Sequence, residues 1–355
     1  MNIWGVTGTN GKTTTTWIAA AFMQGAYITT VEANTLKRRF YTGYTTPPLP
    51  QLKAIFAEMA ANGAENCVME VSSHAIHQHR TGDTVFAGGA FLNLSEDHLD
   101  YHKTMEEYFR VKLAFAERLK PGSPYVVCLD GENCARMYEA VRKLPLRVIP
   151  VTRDNPAYDL SELQLAGDYN RSNVLVAAAL AEAAGVAHDD IQRLIPGLRP
   201  RWGRLEEVAC ASKARVFVDF AHTPDGLEKV LGAARGFCPG RLWVVFGAGG
   251  DRDPMKRPLM GEVCARLADE VVVTSDNPRS EAPMAIIGQI LQGVGDHRAY
   301  VEPDRRLAIE HALQAAQAGD VVIVAGKGHE TTQEIKGVKH PFDDRAVVAA
   351  YVACD

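Results

Sequence analysis

The segment that most restricts what this chain can fold into lies close to Met1: Gly8-Thr9-Asn10-Gly11-Lys12-Thr13-Thr14. The apolar run Ile3-Trp4-Gly5-Val6 before it reads as a buried strand, and residues 13–23 (TTTTWIAAAFM) read as the helix after it. In a strand, glycine turn and helix arranged this way, backbone N–H groups and the positive helix end cradle phosphate. Lys12 is placed to reach the β/γ-phosphates of a nucleoside triphosphate, and the Thr13 hydroxyl to bind Mg²⁺. One position departs from the usual G-x-x-x-x-G-K-[ST] spacing, which asks for glycine where Val6 stands.

A strand feeding a helix is also the unit of a parallel sheet, and the rest of the chain repeats it. Strands are expected at 67–71, 88–92, 125–129, 147–151, 216–220, 242–246, 270–274 and 321–325. Helices are expected at 50–62, 105–119, 173–184, 224–237, 260–267 and 305–318. The Pro/Gly-rich stretch Pro196 to Gly203 separates two α/β blocks. The expected architecture is therefore α/β. A P-loop-containing central ATPase domain with a parallel sheet (1–200) precedes a smaller Rossmann-like α/β C-terminal domain (201–355), with ligands in a cleft between them.

Composition excludes several function classes. A net charge of −5 leaves no basic surface for nucleic acid or an anionic membrane. The short cluster Lys37-Arg38-Arg39 reads as a solvated face, and no stretch has transmembrane length. The cysteines (67, 128, 134, 210, 238, 264, 354) are odd in number and form no C-x-x-C pair, so they read as reduced core residues of a cytoplasmic protein.

Several strand ends carry chemistry. Glu70 precedes Val71-Ser72-Ser73-His74, where a carboxylate would serve a nucleotide's Mg²⁺ or simply start a helix. Asn93 to His102 is crowded with oxygen and nitrogen donors. The histidines 74, 77, 79, 98 and 102 raise zinc, which the lack of any cysteine in register and the phosphate chemistry argue against. The later loops Gly249-Gly250-Asp251-Arg252-Asp253, Ser275-Asp276-Asn277-Pro278-Arg279 and Gly326-Lys327-Gly328-His329-Glu330 repeat the design. On one rim they suit a zwitterionic substrate, Arg for its carboxylate and Asp or Glu for its ammonium.

In order, these segments resemble the Mur ligase family, ATP-dependent amide-forming enzymes of peptidoglycan precursor synthesis, and most of all its diaminopimelate-adding type. The likeness runs from residue 1 to about 346. It includes GTNGKTT (8–14), TTP (45–47), EVSSH (70–74), NLSEDHLDYH (93–102), Lys112, Gly167-x-x-Asn170-x-x-Asn173, Gly203-Arg204, DFAHTPD (219–225), GGDRD (249–253), DNPR (276–279), GKGHE (326–330) and FDDR (342–345). The resemblance implies that Gly8, Thr9, Asn10, Gly11, Lys12, Thr13 and Thr14 hold ATP, and that Thr13 and Glu70 serve one Mg²⁺. It implies a second ion served by His98 and a carbamylated Lys112, a residue that otherwise reads as a solvated helix lysine. It assigns Asn170 and Asn173 to adenine, with Arg204 and Asp219 assisting. Thr45, Thr46, Ser72, Gln78 and Arg80 match positions that hold the carboxylate substrate. Arg252, Asp276, Asn277, Arg279, Gly326 and Glu330 match the amino-acid pocket, with Arg279 facing a distal carboxylate.

Three features depart from the family. Tyr44 stands where asparagine precedes the Thr-Thr pair, and the segment before Thr45 looks shortened. Met1 also sits where the ATPase domain begins, so the N-terminal domain that grips the uridine nucleotide is not in the sequence. The expected activity is thus ATP-dependent activation of a carboxylate as an acyl phosphate, then capture by an amino acid's amine. A smaller, UDP-free carboxylate is the first expectation for the acceptor, and UDP-N-acetylmuramoyl-alanyl-glutamate with meso-diaminopimelate the second. A silent ATP-binding subunit is disfavoured by the presence of Lys12, Glu70, His98 and Lys112. A P-loop kinase or GTPase would not account for the DNPR and GKGHE loops.

Overall fold

The computed structural model describes residues 1–131, 133–154 and 156–352; Cys354 and the end of the expected 201–355 span lie outside them. The chain divides into two compact units, Met1–Leu198 and Arg199–Asp355.

The first unit is built on one eight-stranded sheet in the order β4-β3-β2-β5-β1-β6-β7-β8. Its strands are β1 (Asn2–Thr7), β2 (Ala26–Ile28), β3 (Ala33–Asn34), β4 (Arg39–Phe40), β5 (Asn66–Glu70), β6 (Gly88–Phe91), β7 (Pro124–Cys128) and β8 (Arg147–Val151). Pairings from β2 across to β8 are parallel, and those of β3 with its two neighbours are antiparallel. Central β1 and β5 are covered on both faces, which is why Cys67, Val68 and Met69 form an unbroken apolar run. The helices are α1 (Lys12–Phe22), α2 (Leu49–Ala61), α3 (Ser73–His77), α4 (Leu99–His102), α5 (Met105–Glu117), α6 (Cys134–Val141), α7 (Asp168–Ala183) and α8 (His188–Leu194). Leu52, Ile55 and Met59 of α2 and Phe109 and Phe115 of α5 share a core with Met69, Phe91 and Tyr125. Small residues let α7 lie close to α1, and Ala177, Ala178 and Ala181 are fully buried. Because β5, β1 and β6 are neighbours and parallel, the loops after them emerge together at the carboxyl edge, where such sheets bind ligands.

The second unit carries β9 (Glu206–Glu207), β10 (Arg215–Asp219), β11 (Leu242–Phe246), β12 (Glu270–Val273), β13 (Ala299–Val301) and β14 (Val321–Ala325), in the order β13-β12-β11-β14-β10-β9. Only the β9–β10 pairing is antiparallel. A separate hairpin joins β15 (Thr332–Ile335) to β16 (Val338–Pro341). Its helices are α9 (Pro224–Arg235), α10 (Lys256–Leu267), α11 (Pro283–Val294), α12 (Arg305–Ala315) and α13 (Asp344–Ala349). Thr223, Asp304 and Asp343 cap α9, α12 and α13 by accepting from first-turn N–H groups. All five residues of β14 are buried, as expected of the strand at the middle of a doubly covered sheet.

The α/β architecture expected from the sequence is the one observed. Some boundaries differ: α7 starts at Asp168 rather than 173, and α10 at Lys256 rather than 260. Pro258 lies in the first turn of α10, where proline is tolerated. The six described cysteines are all free; Cys67, Cys128, Cys134 and Cys264 are buried, whereas Cys210 and Cys238 are half-buried. Lys37, Arg38 and Arg39 are exposed. Among the described residues no helix is long and apolar enough to cross a membrane.

Candidate active site

Between β1 and α1 the chain must turn without a side chain at Gly11, which caps α1 with φ 85°. A Cβ there would stand 2.3 Å from Asn173 Oδ1. The loop is braced by Asn93: its carbonyl accepts from Thr9 N (3.0 Å), its Oδ1 accepts from Asn10 N (2.9 Å), and its Nδ2 donates to Asn10 O (3.1 Å). Lys12 Nζ donates to Gly8 O (3.0 Å) and Thr9 O (2.7 Å), drawing both carbonyls toward the ammonium. Thr13 and Thr14 begin α1 and are buried. Thr13 donates to Glu70 Oε1 at 2.8 Å. Glu70, almost fully buried, also accepts from Thr30 N (2.8 Å) and Thr30 Oγ1 (3.1 Å). Ser72 caps α3 by accepting from Ala75 N, so Glu70 is a strand-end carboxylate and not the helix-starting acid. A hydroxyl and a carboxylate side by side at a helix N-terminus form a donor set that fits Mg²⁺.

Lys112 is buried, contrary to the solvated lysine that the residues alone suggest. Its Nζ donates to Gly8 O at 2.8 Å and lies 4.6 Å from the Tyr108 ring centroid. Burial, reinforced by the Lys12 charge, pushes its pKa well below the ordinary lysine value. His98 begins α4 in a left-handed conformation, φ 57°. Burial pushes its pKa down to about 3; Asp97 opposes the shift, while His74, Lys12 and Lys112 add to it. His74, His98 and His102 cluster with ring centroids 4.9 and 5.6 Å from His74. Among the described residues no three His, Cys, Asp or Glu side chains are arranged to hold a metal.

Thr45, Thr46, Ser72, Gln78 and Arg80 form one polar group. Thr46 Oγ1 donates to Glu70 O (2.9 Å) and accepts from Ser72 N (3.0 Å), while Thr30 donates to Thr45 (3.0 Å). Arg80 donates from Nη1 to Thr46 O (3.4 Å) and from Nε to Gln78 Oε1 (2.8 Å). Its guanidinium lies 5.4 Å from the exposed Tyr44 ring. Asn170 and Asn173 are buried on the first turns of α7. Asn173 Nδ2 donates to Asn170 Oδ1 (3.2 Å), and Asn173 Oδ1 accepts from Thr15 (3.3 Å), so this pair also ties α7 to α1.

In the second unit, Asp219 closes β10 and accepts from Leu205 N (2.6 Å) and Ala221 N (2.7 Å). Burial raises its pKa, with the Arg204 charge opposing. Arg204 lies over the Phe220 ring at 4.5 Å. Asp276, Asn277 and Glu330 converge on a buried ammonium: Lys327 Nζ is 3.1 Å from Asn277 Oδ1, 3.0 Å from Glu330 Oε2 and 3.6 Å from Asp276 Oδ1. Asn277 Nδ2 donates to Glu330 Oε2 (2.8 Å). Arg279 (φ 49°) donates from Nη1 to Gly250 O at 2.6 Å, and its N–H meets Glu334 O of β15 at 3.0 Å. Gly326 (φ 117°) passes close to Asp276 and Arg305. Arg252 is exposed, and its Cγ and Arg279 Nη1 both lie within 4 Å of where a Cβ on Gly249 would stand.

Several members of these networks were not singled out from the sequence. Arg305, fully buried, pairs with Asp344 (2.7 Å) and donates to Ser275 O and Ala325 O, fixing two of the loops at once. Arg257, also buried, holds Glu281 (2.7 Å) and Gly249 O. Lys327, Thr30 and Tyr108 complete the set. Neither Arg305, which stands between Asp304 and Arg306, nor Tyr108 carries a local signal that could have found it.

Family models match along most of the chain: the Mur ligase middle domain at residues 6–163 and the Mur ligase, glutamate ligase domain at residues 203–328. A UDP-N-acetylmuramoyl-L-alanyl-D-glutamate–2,6-diaminopimelate ligase of Chromobacterium violaceum is 40% identical, over 97% of this chain and 76% of its own length. The Aquifex aeolicus enzyme of that name is 38% identical over 100% and 78%. The chain belongs to the Mur ligase family. A solved structure titled as such a diaminopimelate ligase superposes with TM-score 0.63 at 34% identity, covering 98% of this chain and 77% of that one. A Mycobacterium tuberculosis folylpolyglutamate synthase with ADP shares the fold at TM-score 0.70 and 19% identity, over 92% and 87%. As a Mur ligase the protein is an ATP- and Mg²⁺-dependent enzyme that forms amide bonds, of the diaminopimelate-ligase type. The expectation of a smaller, UDP-free acceptor finds no support among these relatives, which match the second expectation better.

Proposed function

We propose that this Mur ligase joins the amine of meso-diaminopimelate to the carboxylate of UDP-N-acetylmuramoyl-alanyl-glutamate, in the cytoplasm. The observation that carries this reading is identity of about 40% over nearly the whole chain to enzymes bearing that name. We assign nucleotide work to 1–200 and amino-acid work to 201–355. When bound, ATP supplies the phosphoryl group that activates the carboxylate, and Mg²⁺ neutralises charge on it. Thr13 and Glu70 would hold that ion, and Lys12 would leave its two carbonyls for the phosphates. His98 and Lys112, the latter carbamylated, would serve a second ion; the lowered Lys112 pKa favours the neutral amine that reacts with CO₂. Asn170, Asn173, Arg204 and Asp219 would contact the nucleoside, and Thr45, Thr46, Ser72, Gln78 and Arg80 would orient the acceptor carboxylate.

In the amino-acid pocket, Asp276 and Glu330 against Lys327 leave one net negative charge, matched to one incoming ammonium. Arg279 would take the distal carboxylate, with Arg252, Asn277 and Gly326 lining the remainder. The test is competition between diaminopimelate and lysine. Wild type should prefer diaminopimelate, and Arg279→Ala should lose about tenfold to hundredfold on it, the worth of a charge-assisted contact. Lysine turnover by the variant should be unchanged. Equal losses on both amino acids would refute the role given to Arg279.

A further inference from the structure

Helix α5 touches the nucleotide loop at two adjacent carbonyl-bearing residues. Lys112 Nζ donates to Gly8 O at 2.8 Å, and one turn earlier the Tyr108 hydroxyl lies 3.2 Å from Thr9 Oγ1. Tyr108 is 1% exposed, so neither contact is shared with bulk water. Its ring is used as well as its hydroxyl. Lys112 Nζ sits 4.6 Å from the centroid, and His102 stacks on the ring at 5.0 Å with planes 21° apart. The His98 ring meets it edge-on at 6.2 Å. Thr9 Oγ1 in turn accepts from Ser95 N at 3.1 Å, so one phenol links α5, the loop after β1 and the loop after β6.

The orientation of these groups matters for anion binding. A loop cradles phosphate only if its N–H groups face the ligand and its carbonyls face away. Asn93 accepts from the Thr9 and Asn10 N–H groups at 3.0 and 2.9 Å, which holds one side of those two peptide planes. The carbonyls on the other side, Gly8 O and Thr9 O, are held by lysine ammonium or amine groups. Lys12 cannot do this once it turns to phosphate, because it is the residue that leaves Gly8 O and Thr9 O. Lys112 keeps hold of Gly8 O, and the Thr9 side chain is anchored by Tyr108 and Ser95 whatever Lys12 does.

We propose that Tyr108 is a positioning residue of the nucleotide site: its hydroxyl fixes Thr9 and its ring seats Lys112, so that α5 keeps the loop in its phosphate-binding form. It acts through Thr9 and Lys112, and the inference rests only on this loop being the ATP site, not on the identity of the acceptor or amino acid. Tyr108→Phe keeps the ring and its neighbours and removes only the hydroxyl. Its Kd for Mg²⁺–ADP and KM for ATP should rise about threefold to tenfold, the worth of one buried hydrogen bond. KM for the carboxylate and the amino acid should stay at wild-type values.

In a Thr9→Val background the same substitution should change Kd by less than about twofold, because the hydroxyl's partner on the loop is already gone and its other partner, Ser73, belongs to α3. Tyr108→Leu, which also unseats Lys112, should lower kcat as well. Two results would overturn the proposal: unchanged nucleotide affinity in Tyr108→Phe, or the same fold-loss with and without Thr9. Equal loss for all three substrates would assign Tyr108 to general packing and overturn it too. Failure of wild type to turn over diaminopimelate while Kd for ADP responds as stated would sink the proposed function and leave this inference standing.

Discussion

Gly11→Ala tests the geometry of the nucleotide loop most sharply. At φ 85° an alanine costs roughly 1 kcal/mol more than glycine. Its Cβ would also lie 2.3 Å from Asn173 Oδ1, which is inside any real contact distance. The Asn173 amide must then move and surrender its bond from Thr15 at 3.3 Å and strain that to Asn170 at 3.2 Å. At about 1 kcal/mol for each bond, the total is about 2–4 kcal/mol. Asn173→Ala removes the colliding atom, so the double variant should be more stable than the sum of the single losses allows, by about 1–2 kcal/mol. Urea unfolding monitored in all four proteins gives this coupling directly. Additive losses within a few tenths of a kcal/mol would mean that Gly11 and Asn173 do not collide, and the account of this glycine would fail.

Three further outcomes follow from the second unit. The Arg257 hydrogen bond holds the Glu281 pKa down to about 2 from an ordinary 4.5, so its stabilisation is full above about pH 5 and disappears as pH falls toward 2. Because Glu281 is about a third exposed, Glu281→Gln should cost roughly 1–2 kcal/mol at pH 7 and converge with wild type near pH 2, read by denaturant unfolding across pH. Asp344→Ala leaves the fully buried Arg305 without its counter-ion and should cost about 3–5 kcal/mol; a loss below 1 kcal/mol in unfolding would contradict the buried pair. Lys327→Met removes the ammonium on which Asn277 and Glu330 converge. It should raise KM for the amino acid about tenfold, with Kd for ADP unchanged, in steady-state kinetics and nucleotide titration.

How much of this was legible in the sequence depended on whether a local pattern carried the information. Val321–Ala325 and Leu242–Phe246 are continuous apolar runs, and their observed bounds are those expected. The start of α7 was missed because Asp168-Tyr169-Asn170-Arg171 looks like a polar loop; these residues are helical because Asn170 and Asn173 turn inward toward α1. The hairpin β15–β16 is half-exposed or exposed along its length and offers no buried alternation to read. Helix α11 went unread although Ile286, Ile287 and Ile290 form its buried face. At the candidate site the glycine loop and Glu70 could be found from their own residues, since strand-end carboxylates and Gly-Lys-Thr have recognisable chemistry. Lys112 could not: on a helix with mixed polarity one lysine looks like any other until the fold buries it under the loop. Tyr108 and Arg305 were invisible for the same reason, because their partners are supplied by segments distant in sequence.

The most direct test of the central claim is mass spectrometry of the products formed from ATP, Mg²⁺, meso-diaminopimelate and UDP-N-acetylmuramoyl-alanyl-glutamate, with alanyl-glutamate and small acids in parallel. The account predicts a product equal in mass to the UDP substrate plus diaminopimelate less water, one ADP for each amide, and no ADP when any substrate is omitted. ADP release without a new amide, or an amide formed only on a UDP-free acid, would contradict it.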